Sequence, residues 1–149
     1  MGIGVVSIGS ILASTNSAAF DVDAIRVGLH LLAMAVWIGG QVIMIALLPL
    51  LREVEGLPAK AAQAFGRVAW PAFALAVLTG IWNILTVPMA DVSTGYNIVL
   101  GIKLLLVVGA GIATWMHQRA STASMRGATA GMGFVASLIV VVLGSMLAH

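Results

Sequence analysis

His30 and Lys103 are ionisable side chains set inside apolar segments long enough to cross a bilayer. A chargeable group at membrane depth is energetically unfavourable, so each calls for a named partner and a role. A neutral imidazole is a common metal ligand, and a primary ammonium is a compact donor to anions. Met34 follows His30 by four residues, and imidazole with thioether is a donor set suited to Cu(I), a soft ion. Met89 and His149 add two candidate donors of the same kinds. In so apolar a chain, methionine is also ordinary filling, and an inward histidine can simply hydrogen-bond a neighbouring carbonyl.

Composition sets the class. Of the 149 residues, 61% are hydrophobic and 8% charged, and the mean hydropathy is +1.12. A soluble domain carries about 25% charged residues, so this chain cannot cover a soluble surface and reads as an integral membrane protein. A net charge of +2 is too small for a nucleic-acid surface. Without cysteine there are no disulfides, thiolate metal sites or cysteine nucleophiles. No carboxylate falls inside the apolar runs and no nucleophile–base spacing is present, so the residues point to no reaction.

Four apolar runs approach the roughly 20 residues that a spanning helix needs. They cover about 26–51, 68–87, 97–116 and 127–148. Helices are the expected solution, because lipid offers no hydrogen bonds to an open backbone. The expected fold is therefore an all-α four-helix membrane bundle over residues 24–149. The segments 52–67 and 117–126 hold Arg52, Lys60, Arg67, Arg119 and Arg126, whereas the opposite side offers Arg26 among Asp21, Asp23 and Asp91. The positive-inside rule places both basic loops in the cytoplasm and both termini outside. Residues 1–23 read as a short extracytoplasmic segment, either an interfacial helix or a signal-like stretch.

Orientation makes depth comparable. His30 and Lys103 each lie about six residues in from the outer ends of their helices, on the order of 9 Å at 1.5 Å per residue. Asn83 and Trp82 reach the same layer from the second helix. Stepping by 100° from His30 puts Met34 near about 40°, Trp37 near about −20° and Gln41 near about 20°, one face of the first helix. The inferred object is a polar pocket in the outer half, walled by the first three helices. Gly39, Gly40, Gly80, Gly109 and Gly111 would allow close helix contact or admit a planar ligand. Bland alternatives stand beside this. Lys103 could extend outward to the interface, the tryptophans could pack, and Gln41 and Asn83 could hold helices together. Gly127 and Gly131, spaced as Gly-x-x-x-Gly, suit helix packing or a homodimer through the fourth helix.

The run LHLLAMAVWIGGQVIMIALLPLLR at 29–52 resembles the first helix of the bacterial copper-resistance protein D (CopD) domain, with its His, Trp-x-Gly-Gly step and Leu-Pro-x-Leu-Arg exit. FGRVAWPAFALAVLTGIWN at 65–83 and TGYNIVLGIKLLLVVGAG at 94–111 resemble further segments of that family. The resemblance implies a multi-pass protein of a bacterial inner membrane that binds or transports copper and meets a periplasmic copper-binding protein. His30, Met34, Met89 and His149 would be ligands, with Lys103 and Asn83 tuning the pocket. The same segments resemble the HemJ-type haem-b proteins, at His30, Arg67 and Lys103. That resemblance implies His30 as axial ligand, Lys103 as propionate partner or second ligand, Trp37 and Trp82 as walls, and any reaction a haem-dependent oxidation. A third reading is a structural accessory subunit whose polar groups only specify packing.

Overall fold

The computed structural model describes residues 21–88, 90 and 92–147. The segment 1–20 and the candidate ligands Met89 and His149 lie outside the described residues. The chain forms four helices: α1 (Val22–Leu51), α2 (Leu57–Leu85), α3 (Thr94–Arg119) and α4 (Ala123–Met146). Each contains a stretch apolar enough to cross a membrane, with mean hydropathy from 1.7 to 2.3. At 30 residues, α1 is about 45 Å long, which exceeds the roughly 30 Å hydrocarbon core and carries its ends into the headgroup layer. The protein is an all-α, multi-pass membrane bundle.

Local chemistry sets the helix ends. Asp21, Ser93 and Thr122 precede α1, α3 and α4, and their side-chain oxygens accept the N–H of Asp23, Tyr96 and Met125 at 3.1–3.3 Å. Such caps satisfy backbone donors that have no partner inside the helix. Gly56 turns the chain into α2 with φ of 75°, a left-handed conformation that side-chain-bearing residues rarely adopt. The helix then opens Leu57–Pro58, with proline where its missing N–H does no harm. The expected loop 52–67 is accordingly helical from Leu57. Lys60, Gln63 and Arg67 break the apolar run but, with the neighbouring alanines, are good helix formers, and hydropathy alone cannot see that.

The helices pair as two hairpins, α1 with α2 and α3 with α4, joined by a thinner contact between α1 and α4. The Cα atoms of α2 and α3 nowhere come within 8 Å. Most buried apolar residues are small: Ala33, Ala69, Ala76, Ala110, Ala113 and Ala120, beside Trp37, Leu100 and Val140. Lipid is as apolar as leucine, so helices associate through close backbone approach rather than hydrophobic burial. Large side chains such as Leu85 and Leu105 accordingly point outward. Thr79, Thr129 and Ser137 are buried, and each hydroxyl donates to the carbonyl four residues earlier at 2.7–2.8 Å. Gly133 lets α4 approach α3, since a Cβ there would meet Thr114 Oγ1 at 3.3 Å and Ala113 Cβ at 3.5 Å. Gly127 and Gly131 have no neighbour within 4 Å of such a Cβ and sit on an outward groove between α3 and α4.

Gly40 is the tightest point of the α1–α2 hairpin, because a Cβ there would overlap the Phe65 ring, whereas one on Gly39 would meet nothing within 4 Å. Overpacking of this kind destabilises by about 1–3 kcal/mol. Thermal unfolding in detergent should show a lowered Tm for Gly40→Ala, little change for Gly39→Ala, and recovery in Gly40→Ala with Phe65→Leu.

Candidate functional site

His30 stands one turn into α1 beyond Arg26 and faces α2. Its Nδ1 lies 3.0 Å from the Ala76 carbonyl oxygen and 3.0 Å from Thr79 Oγ1. A carbonyl can only accept, so Nδ1 carries a proton, and in the neutral form of the ring the free lone pair is on Nε2. Thr79 fits this arrangement because its hydroxyl proton goes to Leu75 O at 2.7 Å, leaving the oxygen to accept from His30. Gly80 makes room for the ring, since a Cβ there would lie 3.4 Å from His30 Cε1. A histidine whose outer nitrogen is fixed by a backbone carbonyl is oriented as metal-ligating histidines usually are.

The ring borders a cavity of about 280 Å³ within the bundle. His30, Met34 and Trp37 of α1, Lys103 of α3 and Ser137 of α4 supply its polar and polarisable lining, and apolar residues supply the rest. Four of the residues expected from the sequence thus share one cavity. The fourth helix, outside the expected three-helix wall, closes its back with Ser137 and Val140. Lys103 reaches toward the last turn of α4, where a Cβ on Gly144 would meet its Nζ at 3.3 Å. The C-terminal end of a helix carries roughly half a negative charge, the sign that complements a basic side chain. Among the described residues no carboxylate lies within 4 Å of Lys103.

Aromatic rings close one end of the cavity. Trp37 is 2% exposed, stacks against Phe73 with ring centres 4.5 Å apart, and lies 6.0 Å from Trp70. Trp70 meets Phe73 edge-on and donates to Gln118 on α3 at 3.2 Å. Phe73 packs beside Gly111, which bridges α2 to α3 at this level. Trp37 Nε1–H donates to Ser137 Oγ at 3.1 Å and so ties the two hairpins together.

Arg26, expected as a surface cation, lies one turn before His30 and does not line the cavity. It is 8% exposed, forms an ion pair with Asp23 at 3.1 Å, and donates from Nη1 to Thr86 at the end of α2. Its Nε is buried without a hydrogen-bond partner among the described residues. The pointer to its burial was its four-residue spacing from His30, which puts both on one face. The other candidates do not line the cavity. Gln41 turns back to donate to its own helix at Trp37 O, 3.1 Å away. Trp82 is 41% exposed, Asn83 is half-buried beside the end of α2, and Arg67 is exposed.

The donor set limits what the cavity can hold. Among the described residues, no three His, Cys, Asp or Glu side chains group as a metal site. The lining offers one imidazole, whose Nδ1 is already engaged, and one thioether, a pair that fits a soft ion of low coordination number.

The sequence model of the family described as copper resistance protein D matches residues 59–148, more than half of the chain. The chain belongs to the copper resistance protein D family. The match spans α2, α3 and α4, hence Ala76, Thr79, Lys103 and Ser137, and begins after the His30 wall. No curated protein and no solved structure matches the chain. In this copper resistance protein D relative, the buried indole is the group most exposed to test. Ser137→Ala leaves Trp37 Nε1–H buried without its acceptor, an effect of about 1–3 kcal/mol. Its Tm in detergent should fall, while Ser145→Ala, at the exposed end of α4, should leave it unchanged.

Proposed function

We propose that this family member handles copper as Cu(I), held in the cavity by His30 Nε2 and Met34 Sδ. The observation that carries the reading is the commitment of His30 Nδ1 to Ala76 O and Thr79 Oγ1, which turns the Nε2 lone pair toward the cavity. Met34, four residues along the same helix face, supplies the soft donor. Two protein ligands make a site suited to passing the ion on. Lys103 reinforces that character. Two unit positive charges roughly 8 Å apart, the scale of such a cavity, repel by about 2 kcal/mol at an effective dielectric of 20, so the ammonium loosens the bound ion.

In the same reading the basic ends of α2, α3 and α4 face the cytoplasm, by the positive-inside rule. The cavity then lies in the outer half of a bacterial inner membrane. Met89 and His149 would extend the ligand path toward the outer surface, Asn83 would line it, and a periplasmic copper-binding protein would exchange the ion there. The Gly127–Gly131 groove is the face for a homodimer.

Titration of the purified protein with Cu(I) against a chromogenic chelator, with a visible spectrum of the same sample, tests this. One Cu(I) per chain is expected, absent in His30→Ala and weaker by tenfold or more in Met34→Leu. Thr79→Val, which removes one support of the imidazole, should weaken binding by roughly 10–100-fold. Lys103→Leu, which removes the charge without adding a donor, should tighten it by about tenfold or more, as relief of the repulsion requires. Undiminished binding in His30→Ala would refute the site. A Soret band that disappears in His30→Ala would replace copper with haem.

A further inference from the structure

The cavity is open on one side, and that side faces lipid. Its lining includes Ile81 of α2 and Leu104 and Val108 of α3, which are 48%, 44% and 59% exposed. The opposite wall is shut by buried Trp37, Ser137 and Val140. α2 and α3 touch through Phe73–Gly111 and Trp70–Gln118, and their backbones stay apart elsewhere. A gap between two membrane-spanning helices opens to acyl chains.

Deep in that gap sits Lys103. The described carboxylates, Asp21, Asp23, Glu53 and Glu55, are at helix ends and connections, and the ion pair they form is with Arg26. The end of α4 supplies only about half a negative charge. His30, the other titratable group on the lining, presents a lone pair and no negative charge. The pocket is thus apolar at its mouth and positive at its depth. It complements a molecule with one anionic head and one apolar chain. A volume of about 280 Å³, nearly twice that of a benzene-sized apolar cavity, accommodates a small head and a short length of chain.

We propose that the cavity binds a single-chain carboxylate, which enters from the bilayer between α2 and α3 and pairs its head with Lys103. The inference rests on Lys103 and the α2–α3 opening, and it stands independently of whether His30 and Met34 hold copper.

Solid-state NMR of the protein in bilayers tests it, with lysine labelled at Nζ and dodecanoate labelled at the carboxyl carbon. The chain has two lysines, Lys60 and Lys103. A dipolar contact between carboxyl and Nζ is expected in the wild type and in Lys60→Gln, and is lost in Lys103→Gln. Excess unlabelled dodecanoate should remove it, and the neutral dodecanol should not. In parallel, dodecanoate affinity should fall tenfold or more in Lys103→Gln while dodecanol affinity is unchanged. If Lys103→Gln does not fold, the wild type and Lys60→Gln still decide, because any contact in both belongs to Lys103. No contact in the wild type, equal displacement by dodecanol, or contact of Nζ with lipid phosphorus in place of the carboxyl would overturn the proposal.

Discussion

Inside a bilayer there is no hydrophobic force pushing one helix against another, and everything in this bundle follows from how it manages without one. The helices meet where their side chains are small enough for backbones to approach, as Ala33, Ala76, Ala110, Ala113 and Gly133 show. Where larger residues line both facing helices, as with Ile81 on α2 and Leu104 and Val108 on α3, the helices stand apart. The cavity is the space left by that difference. His30, Trp37 and Ser137 on its lining are satisfied by carbonyls and hydroxyls of the bundle itself, since lipid has none to offer.

Within that frame, two hydrogen-bonded groups give the cavity its chemistry and shape. His30 is held by the Ala76 carbonyl and the Thr79 hydroxyl, so one nitrogen is spent on the fold and the other is left for a ligand. Trp37 is held by Ser137 and backed by Phe73 and Trp70, so its ring is fixed as the floor. Arg26 links α1 to Thr86 at the end of α2. The cavity thus has a fixed floor and one side open between α2 and α3.

Much of this was legible in the sequence, and the reasons differ by residue. Hydropathy alone gave four spanning helices, because a membrane demands long apolar runs. Helix phase brought His30, Met34 and Trp37 to one face, and equal depth added Lys103 from another helix. Phase failed for Gln41, whose long side chain could reach its own backbone instead. Depth failed for Trp82, because level in the membrane says nothing about which way a side chain points. The α4 wall was unreadable, since Ser137 and Gly144 carry no charge and matter only for what they let approach. Family likeness was read from residues 29–52, 65–83 and 94–111, and the family match over 59–148 covers the last two of these stretches but not the first.

The thin seam between the hairpins has a further consequence. α1 with α2, and α3 with α4, are each extensively packed, while α1 meets α4 over a short stretch reinforced by the Trp37–Ser137 bond. Local stability in a protein follows local packing. Each hairpin is therefore a unit that can be laid into the membrane before the other exists, and the cavity forms only when the two dock. A bundle built this way separates into halves before it separates into helices, and its cavity is the first thing it loses and the last it acquires.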